Sequence, residues 1–258
     1  MTPEAPLAGG MANEGLVLRI GDTVRRPHGA TTPTVFALLA HLTARDFPVP
    51  AHEGVDAFGR DVFTWVPGDV AVSDDDLWAD ADDRLVEVAH LLHRYHDCVA
   101  SFVAPADAVW SRELADPAGG AIVCHNDVCR ENIVFGSAGE LTLLDFDFAA
   151  PGRPVWDVAF AAAYWVPLTY PESGAPVDIE VLRRLRLFAD AYEWSDPTAL
   201  ADAIVETRHV GGRFVRGRAE RGQRAFAESW RRRGEDAGER VRLDWFEANR
   251  ARFLAALS

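Results

Sequence analysis

Cys124-His125-Asn126-Asp127-Val128-Cys129-Arg130-Glu131-Asn132-Ile133-Val134-Phe135 places a carboxylate at Asp127 and, five residues on, a neutral oxygen ligand at Asn132. The chain then reads Leu143-Leu144-Asp145-Phe146-Asp147-Phe148, with Asp145 thirteen residues beyond Asn132. Apolar runs at Ala121 to Cys124, Ile133 to Phe135 and Leu141 to Leu144 predict short strands, the last two joined across Gly136 to Gly139. Such strands hold Asp127, Asn132 and Asp145 on rigid backbone. Phosphoryl transfer needs a set of this kind: one carboxylate to orient the attacking hydroxyl, and oxygen ligands for the magnesium that neutralises the phosphates. Turn chemistry alone accounts for His, Asp and Asn between strands, but it leaves their order and spacing unexplained.

The His-x-Asp-x4-Asn pattern followed by apolar-apolar-Asp resembles the aminoglycoside phosphotransferase and choline kinase families, relatives of the protein kinases. The likeness continues through Pro151-Gly152-Arg153-Pro154 and Trp156-Asp157-Val158-Ala159. It implies an α+β, bilobal, protein-kinase-like fold, with a small β-rich N-lobe over residues 1–68 and a larger α-helical C-lobe over 69–258. It further implies Asp127 as catalytic base, His125 as a structural member of the loop, and Asn132 and Asp145 as ligands of Mg2+. Asp157 is the expected buttress of the loop. Asp147, on the same strand face as Asp145, either holds the loop or assists the metal. ATP or GTP is the implied co-substrate. Only eleven residues separate Asp145 from Asp157, which leaves no room for the long activation segment of a protein kinase.

Upstream, Leu16 to Ile20 and Thr23 to Arg26 are split by Gly21-Asp22, a hairpin signal. Thr34 to Ala44 carries Val35, Leu38, Leu39 and Leu42 at helical spacing, and Gly54 to Trp65 reads as a second hairpin turning at Asp56 to Gly59. Pro67-Gly68 is the expected lobe boundary. Gly9-Gly10-Met11-Ala12-Asn13 resembles the family's loop over the phosphates, which puts Gly10 at the nucleotide. The sequence contains no lysine, so an arginine of Thr23-Val24-Arg25-Arg26-Pro27 must supply the cation beside the phosphates. Alternation sets Val24 and Arg26 on one face, with Val24 toward the base and Arg26 toward the phosphates; Arg25 is the alternative. Thr64-Trp65-Val66 is the implied hinge, with Trp65 and Val66 at the base. Kinases pair the strand cation with a glutamate of the next helix, but Thr34 to Leu42 holds no acid. Either another carboxylate serves, or the phosphate itself is the partner.

Ser73 with Asp76 suggests a helix N-cap, ahead of an apolar face of Leu77, Ala81, Leu85, Val88, Leu92, Tyr95 and Val99. His93 and His96 are three apart, and the family likeness makes His96 a structural hydrogen-bonder rather than a metal ligand. Beyond Asp178 the pattern is helical, with a start at Pro197, a break or kink at Gly211-Gly212, and a solvated helix end at Arg231-Arg232-Arg233. Asp190, Glu193, Asp196, Asp202 and Glu206 are candidates for binding amino groups of an acceptor.

A net charge of −14 disfavours a nucleic-acid partner and suits a cationic small molecule, or simply solubility. No apolar stretch is long enough for a transmembrane helix, so no membrane partner is expected. Met1 to Gly10 lacks the basic start of a secretory signal, and Cys98, Cys124 and Cys129 have no CxxC spacing; these features predict a cytoplasmic protein with reduced thiols. The expected function is an NTP-dependent phosphotransferase acting on a hydroxyl of a small molecule, an aminoglycoside or related amino-sugar first. The rivals are a choline-like or sugar metabolite kinase and a non-catalytic nucleotide-binding pseudokinase.

Overall fold

The structure, a computed structural model, describes residues 4–7, 15–73 and 75–258. Five strands, β1 (Glu4–Pro6), β2 (Leu18–Ile20), β3 (Thr23–Pro27), β4 (His52–Val55) and β5 (Arg60–Thr64), form one antiparallel sheet in the order β1-β2-β3-β5-β4. Both expected hairpins are present. β1 was not anticipated, because Glu-Ala-Pro shows no alternation. Helix α1 (Thr32–Thr43) buries Val35, Leu38, Leu39 and Leu42, as its spacing demands, and Pro33 occupies the first turn, where its missing N–H costs nothing.

The chain leaves this small lobe through Gly68. Its φ is +148°, and a Cβ there would lie 2.5 Å from the Phe135 carbonyl oxygen, so the position demands glycine. Asp69 then exchanges two backbone hydrogen bonds of 2.9 Å with Phe135, tying the crossing to the larger lobe.

That lobe is built from α2 (Asp82–Val99), α3 (Pro154–Trp165), α4 (Ile179–Ala191), α5 (Pro197–Glu220), α6 (Arg224–Arg232) and α7 (Glu235–Leu257). Two short antiparallel pairs lie beside them: β6 (Ile122–Cys124) with β9 (Ala150–Gly152), and β7 (Ile133–Phe135) with β8 (Leu141–Leu143). The main apolar core runs from Leu38 and Leu42 of α1 through Tyr95, Ile133, Leu143 and Phe188 to Phe253 of α7, and a smaller cluster gathers Leu114, Phe148, Trp156, Phe160 and Val210. The architecture is α+β and bilobal. Among the described residues no helix is long and apolar enough to cross a membrane.

Three local expectations are corrected. Asp76 does not cap α2: its Oδ2 accepts from the amides of Val72 and Ser73 at 2.9 Å, closing a turn, and α2 begins only at Asp82. Aspartate serves such local turns as readily as it serves helix caps. Leu77 is accordingly 69% exposed rather than on the buried face. α5 continues unbroken through Gly211-Gly212, where a Cβ on Gly212 would meet the Glu239 side chain at 2.1 Å; that glycine lets α7 approach. Of the arginine run, Arg231 and Arg232 are exposed, but Arg233 is half-buried and burial lowers its pKa.

Candidate active site

The loop after β6 is held almost entirely by buried hydrogen bonds. His125 Nε2 lies 2.8 Å from the Leu144 carbonyl oxygen, and the Asp127 amide donates to His125 Nδ1 at 3.2 Å. A carbonyl only accepts and an amide only donates, so Nε2 carries the proton and the ring is neutral. Burial lowers the His125 pKa, in agreement. Asn126 adopts φ 66° and donates from Nδ2 to the Phe148 carbonyl at 2.8 Å.

Asp157, fully buried on α3, organises this turn. Its Oδ2 accepts from the His125 amide at 2.7 Å and its Oδ1 from the Asn126 amide at 2.8 Å, while His96 Nε2 reaches Oδ2 at 3.1 Å. Burial alone would raise the Asp157 pKa, but His96 and the loop amides outweigh it, and the carboxyl sits below its usual range. His96 is thus a hydrogen-bonder, with Tyr192 Oη 2.6 Å from its Nδ1.

Asn132 Nδ2 donates to both the backbone oxygen and Oδ2 of Asp127, at 2.9 and 3.0 Å. This commits the amide nitrogen and leaves Asn132 Oδ1 as the atom for a cation. Tyr164 Oη at the end of α3 donates to Asp127 Oδ1 at 3.3 Å. The Leu144 amide donates to the Asn132 carbonyl at 2.8 Å, and Asp145 follows with φ 60°, a strained conformation of the kind that collects at functional sites. Burial and the nearby Asp145 charge push the Asp127 carboxyl up to about 7, against the pull of Tyr164 and Asn132.

Arg26 reaches across from β3. Its Nη2 donates to Asp145 Oδ1 at 2.8 Å and to Asp147 Oδ2 at 2.7 Å. Burial would lower the Arg26 pKa, but these two carboxylates reverse the direction and raise it; Asp145 is held below its usual range by the same guanidinium, despite burial. Arg25 points the other way, with Nε 3.4 Å from Asp56 Oδ2.

A cleft of about 1520 Å³ separates sheet from helices. Val24, Arg26, Trp65, Val66, Asp127, Asn132 and Asp145 all line it, and Gly10 lies outside the described residues. Trp65 also carries the Arg19 guanidinium 4.0 Å above its ring. Asp190, Glu193, Asp196, Asp202 and Glu206 do not line this cleft. Asp190 pairs with Arg186, Asp196 caps α5, Asp202 pairs with Arg250 and Glu206 with Arg153. Cys129 lines the cleft, but burial pushes its thiol pKa well up, the reverse of an activated nucleophile.

Asp61 and Tyr164 are two of the cleft residues that sequence reasoning missed. For Asp61 a signal existed, since alternation along β5 sets it on the same face as Phe63, which also lines the cleft. For Tyr164 there was none, because α3 is apolar on every side. Among the described residues no group of three or more His, Cys, Asp and Glu is arranged to hold a metal. Asp145 and the Asn132 amide oxygen are hard donors that fit magnesium, which keeps waters and phosphate oxygens for its remaining positions.

Residues 75–201, which contain Asp127, Asn132, Asp145 and Asp157, match the phosphotransferase enzyme family (APH). The likeness to that family is thus carried by the segment that holds the loop and the metal-site candidates. The chain is also similar to the trifolitoxin immunity protein of Rhizobium leguminosarum bv. trifolii, 31% identical over 173 residues, which are 64% of this chain and 62% of that protein. The chain thus spans about three-fifths of the length of that curated relative.

Solved structures share the fold. A choline/ethanolamine kinase family protein from Mesorhizobium loti superposes with a TM-score of 0.63 at 15% identity, over 99% of this chain and 92% of that one. The GDP and kanamycin complex of APH(2")-IIia gives 0.60 at 15% identity, over 96% and 93%.

Proposed function

We propose that the protein transfers the terminal phosphoryl group of ATP or GTP to a hydroxyl of a small molecule. The observation that carries this reading is the convergence of Asp127, Asn132 and Asp145, all within the segment that matches the phosphotransferase family, with Arg26 of β3 on one cleft. Asp127 orients the acceptor hydroxyl and takes its proton. Asn132 and Asp145 hold magnesium, which neutralises charge on the phosphates when bound. Arg26 faces the phosphates, while Val24, Trp65 and Val66 pack around the base and Gly10 belongs to the loop above. Asp147 steadies Arg26. We place the protein in the cytoplasm, where its three free cysteines and a triphosphate co-substrate are at home.

The cleft favours a cationic acceptor. Asp61, Asp80, Asp127, Glu131, Asp145, Asp147 and Glu180 face it against only Arg26, Arg130 and Arg184. An aminoglycoside or related amino-sugar suits this balance, and the kanamycin complex of the structural neighbour supports the choice. Tyr164, Phe214 and Phe226 also line the cleft, and aromatic faces beside carboxylates suit a choline-like cation as the second reading. A nucleotide-consumption assay over aminoglycosides, choline, ethanolamine and simple sugars tests both. Consumption that needs magnesium and one acceptor class supports the proposal; bound nucleotide that no acceptor turns over would make the protein a non-catalytic binder.

Two substitutions test the nucleotide side. Asp145→Ala is expected to lower magnesium-dependent ATP affinity by about tenfold to a hundredfold, the worth of one interaction with a charged group. Calorimetric titration with and without magnesium checks this, and a mutant that keeps the full magnesium enhancement places the metal elsewhere. Arg26→Ala is expected to weaken nucleotide binding by about 1–3 kcal/mol. Arg25→Ala should change it far less, because Arg25 faces Asp56 on the other side of the sheet. The reverse ranking in paired affinity measurements would remove Arg26 from the nucleotide site.

A further inference from the structure

Arg26 on β3 and Asp61 on β5 are directly opposed in the antiparallel ladder, and both line the cleft. Opposed positions present their side chains on one face, with Cβ atoms about 4.5–5.5 Å apart. Asp61 is only 2% exposed, yet its close contacts are histidines. His28 Nδ1 lies 2.8 Å from Oδ1, and His52 Nε2 lies 4.0 Å from the same oxygen. His52 Nε2 is itself buried without a hydrogen-bond partner, and its ring is stacked on Phe36 with centroids 3.4 Å apart. A carboxylate so far from water requires a cation or strong donors. The guanidinium across the ladder is a cation within reach, but here it is turned toward Asp145 and Asp147, and both of those bonds use Nη2. Helix α1, which follows β3, is Thr-Pro-Thr-Val-Phe-Ala-Leu-Leu-Ala-His-Leu-Thr and offers no carboxylate.

The phosphotransferase reading, on which this inference rests, creates a conflict at one atom. Asp145 Oδ1 is occupied by Arg26, and a divalent cation on this carboxylate repels the guanidinium beside it. We infer that Asp61 is a positioning residue that receives Arg26 when magnesium and nucleotide claim Asp145. The guanidinium presents five N–H donors in a planar fork, so one edge can meet Asp61 while the other meets phosphate oxygens. His28 holds Asp61 in the absence of nucleotide. Asp61 thereby takes the place of the missing helix carboxylate, from a strand rather than from a helix.

ATP titrated by calorimetry into wild type and Asp61→Asn, with and without magnesium, separates the two arrangements. Asn keeps the size of the side chain and removes its charge. Magnesium-dependent ATP affinity is expected to fall about tenfold or more in Asp61→Asn, while metal-free affinity stays within about twofold. An equal loss in both conditions, or no loss in either, overturns the inference while a normal wild-type titration leaves the phosphotransferase reading intact. A wild type without magnesium-enhanced ATP binding overturns both. Should Asp61→Asn fail to fold, a wild-type structure with magnesium and a non-hydrolysable triphosphate gives the same decision. Arg26 within hydrogen-bond distance of Asp61 supports the exchange, and Arg26 still on Asp145 refutes it.

Discussion

Asp127→Ala is expected to lower phosphoryl transfer about a hundred- to ten-thousand-fold, the range for losing a positioned general base, while nucleotide affinity stays within about threefold. The division follows from geometry. Asp127 Oδ1 faces the hydroxyl of Tyr164 and Oδ2 the amide of Asn132, whereas Arg26 and Asp145 sit on the side proposed for the triphosphate. Alanine leaves the backbone oxygen of residue 127 in place, so Asn132 keeps one of its two bonds to the loop. Turnover and nucleotide affinity measured in one preparation give the answer. A mutant that turns over at the wild-type rate removes Asp127 from the chemistry.

The second large effect concerns folding. Asp157→Ala should destabilise the protein by about 3–5 kcal/mol, the cost of removing one member of a buried charged network. Three buried groups lose their acceptor at once: the amides of His125 and Asn126, and Nε2 of His96. The pH dependence carries a definite sign. The Asp157 pKa is depressed in the folded chain, so its contribution is fully present above the unfolded carboxylate pKa of about 4 and fades as pH falls through the lower folded value. Denaturant titrations at neutral and acid pH should therefore show the two proteins converging in stability toward acid. A loss below about 1 kcal/mol at neutral pH would mean that the loop is held by other contacts, such as Trp165 Nε1 on the Val128 carbonyl.

What the chain discloses by itself depends on whether the cause is local. Alternation along Thr23–Pro27 is local, and it separates Arg26 from Arg25 correctly. The spacing from Asp127 to Asn132 and on to Asp145 is local as well, and one loop with one hairpin brings the three into a single cleft. The Arg26 pairing with Asp145 and Asp147 spans about 120 residues and depends on how the lobes meet, which no pattern within either segment encodes. β9 was missed because Ala-Pro-Gly reads as a turn and is a strand only through its pairing with β6. Asp61 escapes a sequence reading because an acid in a strand suggests solvent, whereas here it is buried against His28 and lines the cleft with Phe36 and Phe63.

Phosphorus NMR of the wild-type protein with ATP, magnesium and each acceptor class tests the central proposal most directly. The account predicts a new phosphomonoester resonance that grows in step with ADP for one acceptor class, requires magnesium, and is absent with Asp127→Ala. ATP left unchanged with every acceptor, or ATP converted to ADP and inorganic phosphate with no phosphomonoester, would contradict it.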